Sequence, residues 1–198
     1  MKILILGYSN LTKRKIIPAL KKINGLKFDI ASVTSSPVNN GHTSWYRNYK
    51  EALSSSSAKI VYVSLVNSLH YRFINEAISL GKHVIVDKPI ALDNYEVVKL
   101  IKKAKKKKLI LSEALTFNYH KQFSELKKII NKNKPIKNII MKFNIPKPKK
   151  NDFRLNFELG GGCFNDMIPY AAEVNRIFLK KNINIKSFIN KTRNRLSD

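Results

Sequence analysis

The chain has 198 residues, a formal net charge of +25 and a hydrophobic fraction of 43%, enough to bury the core of one large domain, or of one domain and part of another. Its single cysteine, Cys163, excludes an internal disulfide framework, and the first apolar run, Ile3 to Leu6, is too short for a signal peptide, with no stretch long enough to span a bilayer. Lysine, isoleucine and asparagine fill more than a third of the positions and lysine far outnumbers arginine, a codon-type bias unlike the arginine and aromatic platforms of nucleic-acid sites, so a cytoplasmic protein with no nucleic-acid and no membrane partner is expected.

Lys2 to Leu6 reads as a first strand, followed by Gly7-Tyr8-Ser9-Asn10-Leu11-Thr12 and a helix carrying Ile16, Ile17, Leu20 and Ile23. Strand, glycine turn and helix in that order form the dinucleotide-binding arrangement. Its fingerprint wants glycine first for the tight turn, second for close approach to a pyrophosphate, and glycine or alanine third for helix packing. Only Gly7 fits, with Ser9 and Thr12 at the other two positions. A small residue at the second position still lets a helix N-terminus hold phosphate through its N–H groups and dipole, which makes Gly7, Ser9, Asn10 and Leu11 candidate cofactor contacts. Phe28 to Val33 is a second strand whose tip carries Thr34-Ser35-Ser36, where NAD-binding domains place a carboxylate for the adenosine ribose. Without that carboxylate a 2′-phosphate meets no repulsion, so NADP is expected at least as readily as NAD, with Thr34 and Ser35 as contacts. His42, Trp45, Tyr46 and Arg47 show no metal-ligand spacing, and Ser54 to Ser57 reads as a connector.

From Lys59 to Leu92 the chain reads as a complete strand, helix, strand unit. Ile60 to Val66 is β-branched and apolar, as a strand buried on both faces should be. Ser68 is the expected cap of a helix carrying Phe73, Ile74, Ala77, Ile78 and Leu80, and Gly81 sits where a left-handed helix end is favoured. The next strand is His83 to Val86. A right-handed crossover places Asn67 and the Asp87-Lys88-Pro89 turn on one carboxyl edge of the sheet, where open α/β sheets bind ligands. Pro89 ends the strand and restricts Lys88, so that lysine is aimed rather than trailing, although spacing alone leaves it one lysine among many.

Asp93 is the expected cap of a helix over 94–108, whose Lys102 to Lys108 run forms a solvated face, and Leu109 to Ser112 reads as a strand. Residues 1–120 are taken as the nucleotide-binding domain and 121–198 as a linking helix and part of a second domain. The linking helix runs from Lys121 to Asn131 with Phe123, Leu126, Ile129 and Ile130 inward, and Pro135 marks the boundary. Ile136 to Ile145 alternates as a strand should, and Pro146 to Lys150 is a loop. Then come Asp152-Phe153-Arg154, Glu158-Leu159-Gly160-Gly161-Gly162 and Asn165-Asp166-Met167-Ile168-Pro169-Tyr170. Asp166 and Tyr170 stand at i and i+4 on one helix face, with Ile168, Ala171, Ala172, Val174 and Ile177 expected in the core.

The unit from Lys59 to Leu92 resembles the signature of the Gfo/Idh/MocA oxidoreductase family, which includes glucose-fructose oxidoreductase and inositol dehydrogenase. There a strand ends in a Pro-Asn turn, a helix and Gly-Lys-His follow, and the next strand ends in Glu-Lys-Pro. Here the turn is Val66-Asn67 with His70 three residues on, and the last motif is Asp87-Lys88-Pro89. The glycine triplet followed by Asp166 and Tyr170 is similar to the family pattern of three glycines, an aspartate, and a histidine or tyrosine four residues later. The resemblance implies an α/β fold, a Rossmann-type doubly wound parallel sheet followed by the start of an α+β second domain, incomplete because family members usually run much longer.

It also implies an NAD(P)-dependent oxidoreductase acting on a secondary hydroxyl of a sugar, cyclitol or nucleotide-linked sugar. Tyr170 would give or take the proton, Lys88 would bond the substrate oxygen, and Asp166 would orient substrate hydroxyls or balance Lys88. Lys88 and Tyr170 must then meet beside the nicotinamide. Val66, Asn67, His70, Asp87, Lys88 and Pro89 join the cofactor contacts, and Glu113, Tyr119 and His120 resemble residues lining the interdomain cleft. A homo-oligomer is expected if the second domain is completed. A non-catalytic nucleotide-binding or assembly module of the same family remains the alternative.

Overall fold

In the computed structural model, which describes residues 1–179 apart from 40, 134 and 137, the β-branched runs become short strands: β1 (Lys2–Leu6), β2 (Lys27–Ala31), β3 (Trp45–Tyr46), β4 (Ile60–Val63), β5 (His83–Val86) and β6 (Leu111–Glu113). All pair in parallel, in the order β3-β2-β1-β4-β5-β6. Order 3-2-1-4-5-6 is the doubly wound arrangement expected for a nucleotide-binding sheet.

Period-two alternation divides the strand side chains between two cores. Leu4, Leu6, Val61, Val63, Val84 and Val86 face a cluster completed by α2 (Tyr49–Ser55), α3 (Asn67–Ser79) and α4 (Asn94–Lys106). Ile3, Ile5, Phe28, Ile30 and Tyr62 face the other side, where Ile17 of α1 (Ile17–Leu20) packs. A π-helical turn, Thr12–Ile16, runs directly into α1. Pro18 has no N–H to donate, and the turn before it widens so that the Ile17 N–H reaches the Thr12 carbonyl.

Several boundaries differ from the sequence expectation. Strand β2 ends at Ala31 rather than Val33, because its outer neighbour β3 offers only Trp45 and Tyr46 to pair with. Strand β4 stops at Val63 rather than Val66: the helix already starts at Asn67, Val66 is its extended cap residue, and no side chain caps it. Ser68 is therefore not the cap. Ser54 and Ser55 lie in α2 instead of a connector, because Asn48 caps that helix with bonds to the Lys50 and Glu51 N–H groups at 2.8 and 3.2 Å. Asp93 does cap α4, bonding the Tyr95 N–H at 2.7 Å, and Gly81 takes the left-handed conformation, with φ of 74°.

Contacts divide the chain into two compact units, Met1–Ala114 and Leu115–Asp198. The second begins with a 3-10 turn, Thr116–Tyr119, and α5 (Lys121–Lys132), and contains α6 (Cys163–Phe178). Of the residues expected inward on α5, Phe123 is buried while Leu126 and Ile129 are exposed. On α6 the buried apolar residue is Phe178, and Ala172 is exposed. The expected strand over 136–145 does not form among the described residues. Alternation is only a capacity to pair, and a ladder needs a neighbouring strand to accept it. Among the described residues no helix is long and apolar enough to cross a membrane.

Because Ile74 is fully buried between α3 and the sheet, Ile74→Ala should lower unfolding stability by about 2–5 kcal/mol in a urea titration.

Candidate functional site

Parallel register decides what gathers at the carboxyl edge. Ala31, Leu6, Val63, Val86 and Glu113 stand in line across β2, β1, β4, β5 and β6. The next residues continue the ladder by one bond each: Gly7 N–H to Ala31, Ser64 to Leu6, Asp87 to Val63 and Ala114 to Val86, all at 2.8–2.9 Å. Gly7, Ser64 and Asp87 are thus neighbours, and by alternation they lie on the α1 face with Tyr62.

At Gly7 the backbone has φ of +100°, and an added Cβ would lie 2.0 Å from the Ser64 carbonyl oxygen. Only glycine fits that turn. Ser9 and Thr12, which replace the later glycines of the fingerprint, turn their hydroxyls inward. Ser9 Oγ accepts the Thr12 N–H at 3.1 Å and lies 3.1 Å from Thr12 Oγ1 and 2.9 Å from Ser64 Oγ. Ser9 thereby caps the helix, while Asn10 and Leu11 open it with N–H groups that have no intrahelical acceptor.

The turn bearing Lys88 is pinned by its neighbours. The Asp87 carboxylate accepts the Tyr62 phenol and, at 2.7 Å, the Ser64 hydroxyl. The Pro89 carbonyl meets His70 Nδ1 at 2.6 Å, and the Ile90 N–H donates to Glu113 Oε1 at 2.9 Å. The Lys88–Pro89 peptide is cis. Burial, and then the charge and hydrogen bond of Asp87, push the Tyr62 phenol far above its ordinary pKa, in keeping with its place as a donor to the Asp87 carboxylate. His70 is fully buried, and its Nε2 lies 3.1 Å from the Leu65 carbonyl. Two carbonyls would favour a protonated ring, but burial outweighs them and holds its pKa below the ordinary value. A neutral ring has only one N–H to share between these two carbonyls.

The expected cofactor contacts beyond this cluster fall at the same edge. Val66 and Asn67 open α3, with Asn67 buried. At the tip of β2, Ser32 is buried and accepts the Ser35 N–H at 3.2 Å, while Thr34 is exposed. The lysine of the Gly81-Lys82-His83 motif is elsewhere. Its ammonium donates to the Ser56 and Ala58 carbonyls at 2.9 and 2.7 Å, on the side of β4 where the strand begins, and burial lowers its pKa.

In the second unit, Asp166 is buried and Arg154 Nε donates to its Oδ2 at 2.9 Å. The same guanidinium reaches Asp152 at 3.3 Å, and the Gly162 N–H bonds the Arg154 carbonyl at 2.9 Å. A Cβ on Gly161 would lie 2.5 Å from that carbonyl oxygen, so the glycine run allows the turn at 153–155 to close against the start of α6. Tyr170 packs between Phe117 and Phe143, at ring separations of 5.6 and 5.9 Å. Tyr119 is exposed, and His120 caps α5 by accepting the Gln122 N–H at 3.2 Å. Sequence reasoning passed over Ser64 and Tyr62, and it singled out the Asp152-Phe153-Arg154 segment without the pairing of Arg154 to Asp166. The even spacing of Tyr62 and Ser64 inside an apolar strand was the available signal, since it marks one face.

The family model described as an oxidoreductase family with an NAD-binding Rossmann fold matches residues 1–115. The chain belongs to the Gfo/Idh/MocA oxidoreductase family. It is 28% identical over 195 residues to an oxidoreductase of Rhizobium meliloti, covering 88% of this chain and 57% of that protein. It is also 29% identical over 133 residues to a dTDP-3,4-didehydro-2,6-dideoxy-alpha-D-glucose 3-reductase of Actinomadura kijaniata, covering 66% of this chain and 40% of the relative. The chain thus spans about half the length of the curated relatives it matches. Two solved structures share the fold. A 3-ketoreductase from Actinomadura kijaniata with NADP and TDP-benzene superposes at a TM-score of 0.78, 24% identity and coverage of 90% of this chain and 57% of that one. A scyllo-inositol dehydrogenase from Lactobacillus casei with NAD(H) and scyllo-inositol gives 0.61, 20%, 67% and 41%.

The residues present at the edge fit the family's nucleotide. The Gly7 turn leaves no room for a side chain, and it is followed by a helix start whose first N–H groups face no acceptor of their own helix.

Gly7→Ala should cost about 3 kcal/mol or more in a denaturant titration, from the backbone clash and the positive φ together. A second expectation concerns pH. Because the pKa of His70 is lowered from 6.5 in the folded chain, the unfolded chain takes up the proton first; stability should be full above about pH 6.5 and fall as pH drops below it. Thermal melts between pH 7.5 and 5 on the chain and on His70→Gln should show a shallower fall for the variant.

Proposed function

We propose that the chain carries the nucleotide-binding part and the first catalytic groups of an NAD(P)-dependent oxidoreductase that interconverts a secondary hydroxyl and a ketone on a sugar, cyclitol or nucleotide-linked sugar. The observation that carries this reading is the pinned turn at the carboxyl edge, where Asp87, Pro89 and Ile90 are all held and Lys88 lies among them. A family nucleotide bound there would supply hydride exchange at its nicotinamide. The chain's own residues then have defined tasks. Lys88 places an ammonium on the substrate oxygen and stabilises negative charge that develops there. Tyr170 gives or takes the hydroxyl proton, and its packing against Phe117 and Phe143 restricts the ring. Asp166 orients substrate hydroxyls, with one carboxylate oxygen fixed by Arg154. Residues from Leu115 onward are the start of the substrate domain in this reading.

The relatives named as a dTDP-sugar 3-reductase and, at 25% identity, a D-xylose 1-dehydrogenase (NADP(+)) of Haloferax volcanii support the substrate class. The tip of β2, with Ser32, Thr34 and Ser35 and no carboxylate, supports NADP at least as well as NAD. A second reading, a nucleotide-binding or assembly module without turnover, is favoured by the segment 138–149, which forms no strand among the described residues.

The two readings separate in one experiment. NADPH and NADH are titrated against the chain, and a panel of sugars, cyclitols and dTDP-linked ketosugars is then followed at the nicotinamide absorbance. Turnover that falls at least about a hundredfold in Lys88→Ala and Tyr170→Phe, with nucleotide binding retained by Tyr170→Phe, is expected for the enzyme. Binding without any turnover across the panel leaves the module.

A further inference from the structure

At the carboxyl edge the hydroxyls form a chain whose direction is set from one end. Asp87 accepts, so Ser64 spends its only proton on Asp87 Oδ2. Ser64 must then accept in its 2.9 Å contact with Ser9, and Ser9 must donate. Having donated there, Ser9 accepts from both the N–H and the hydroxyl of Thr12, each at 3.1 Å. Every proton in the row points toward Asp87, and Ser9 Oγ has both lone pairs and its proton engaged. It has no capacity left for a phosphate oxygen. Thr12 is fully buried and Ser64 nearly so, while Ser9 is half-buried, so the row is shielded from water on its Thr12 and Ser64 sides.

We infer that Ser9, Thr12 and Ser64 form an ordered hydroxyl bridge that replaces the missing glycines of the fingerprint and ties the nucleotide turn to Asp87, the residue before Lys88, making Ser9 and Ser64 positioning residues for the cofactor. The inference rests on the nucleotide-binding reading above. In the usual fingerprint, glycine brings the backbone close to pyrophosphate because nothing protrudes. Here the serine side chain is drawn down toward β4, which clears the same approach, and its bonds hold the first helical turn. The bridge also joins β1, β4 and β5 through side chains, so order at the phosphate turn and order at the Lys88 turn are coupled.

The test is deliberately contrary to the fingerprint. Ser9→Gly restores the residue that the motif prefers, yet it removes the bridge; Ser9→Thr adds bulk but keeps the hydroxyl. NADPH dissociation constants are measured by nicotinamide fluorescence without substrate for the full chain, Ser9→Gly, Ser9→Thr, Ser64→Ala and the Ser9→Gly/Ser64→Ala double variant. Circular dichroism confirms that each is folded, and Thr12→Val, which keeps its volume, substitutes for any that is not. Ser9→Gly and Ser64→Ala should each weaken binding about tenfold, Ser9→Thr should stay near the starting affinity, and the double variant should be no weaker than either single one. Equal or tighter binding by Ser9→Gly, or fully additive losses, would overturn the bridge while leaving the nucleotide site in place. No binding of NADPH or NADH by the unaltered chain would overturn both.

Discussion

Parallel register is the constraint from which the rest of the first unit follows. Because Leu6, Val63 and Val86 stand opposite one another, the residues after them arrive at one level on one face of the sheet. A glycine, a serine and an aspartate are delivered to adjacent positions by three strands far apart in the chain. The aspartate accepts from two hydroxyl donors, and those bonds draw Tyr62, Ser64 and, through Ser64, the Ser9 turn into one arrangement. A one-residue slip of β4 would send Tyr62 and Ser64 to the opposite core, where apolar packing has no acceptor for them.

The two lysines that bracket β5 show how position along a strand decides a side chain's use. Lys82, at the start, is buried and holds the Ser56 and Ala58 carbonyls, near a fully buried Asp29 that Lys2 also pairs with at 2.9 Å. Its charge is spent on satisfying backbone oxygens that the turn before β4 leaves without a ladder. Lys88, at the other end, sits in a turn whose neighbours are held by two hydroxyls on Asp87, a histidine on Pro89 and a glutamate on Ile90. Identical side chains thus serve cohesion at one edge and, in the proposed reaction, chemistry at the other.

In the second unit the glycine run and the aspartate before Tyr170 belong to one local structure. Gly161 allows the Arg154 carbonyl to approach, the Gly162 N–H bonds it, and the guanidinium of the same residue neutralises Asp166. Reading Asp166 only as a partner for substrate or for Lys88 therefore misses its first obligation: a buried carboxylate needs a nearby donor, and Arg154 provides it.

Much of the fold was legible because the needed information is local. β1 and β5 fall within the limits that apolar runs and turn residues mark, Asp93 caps α4, and Gly81 closes α3, each a consequence of a few adjacent residues. Motif resemblance likewise led to the correct family, since Asp87-Lys88-Pro89 and the glycine triplet are contiguous in sequence. What escaped was what depends on a partner. β3 exists because β2 offers it two residues of ladder, 136–145 alternates yet pairs with nothing described, and Leu126 and Ile129 carry an apolar stripe that is not buried. The roles of Tyr62, Ser64 and Arg154 were decided only by tertiary structure, because a hydrogen bond between residues 23 or 55 positions apart leaves no trace in local spacing until the register brings donor and acceptor within reach.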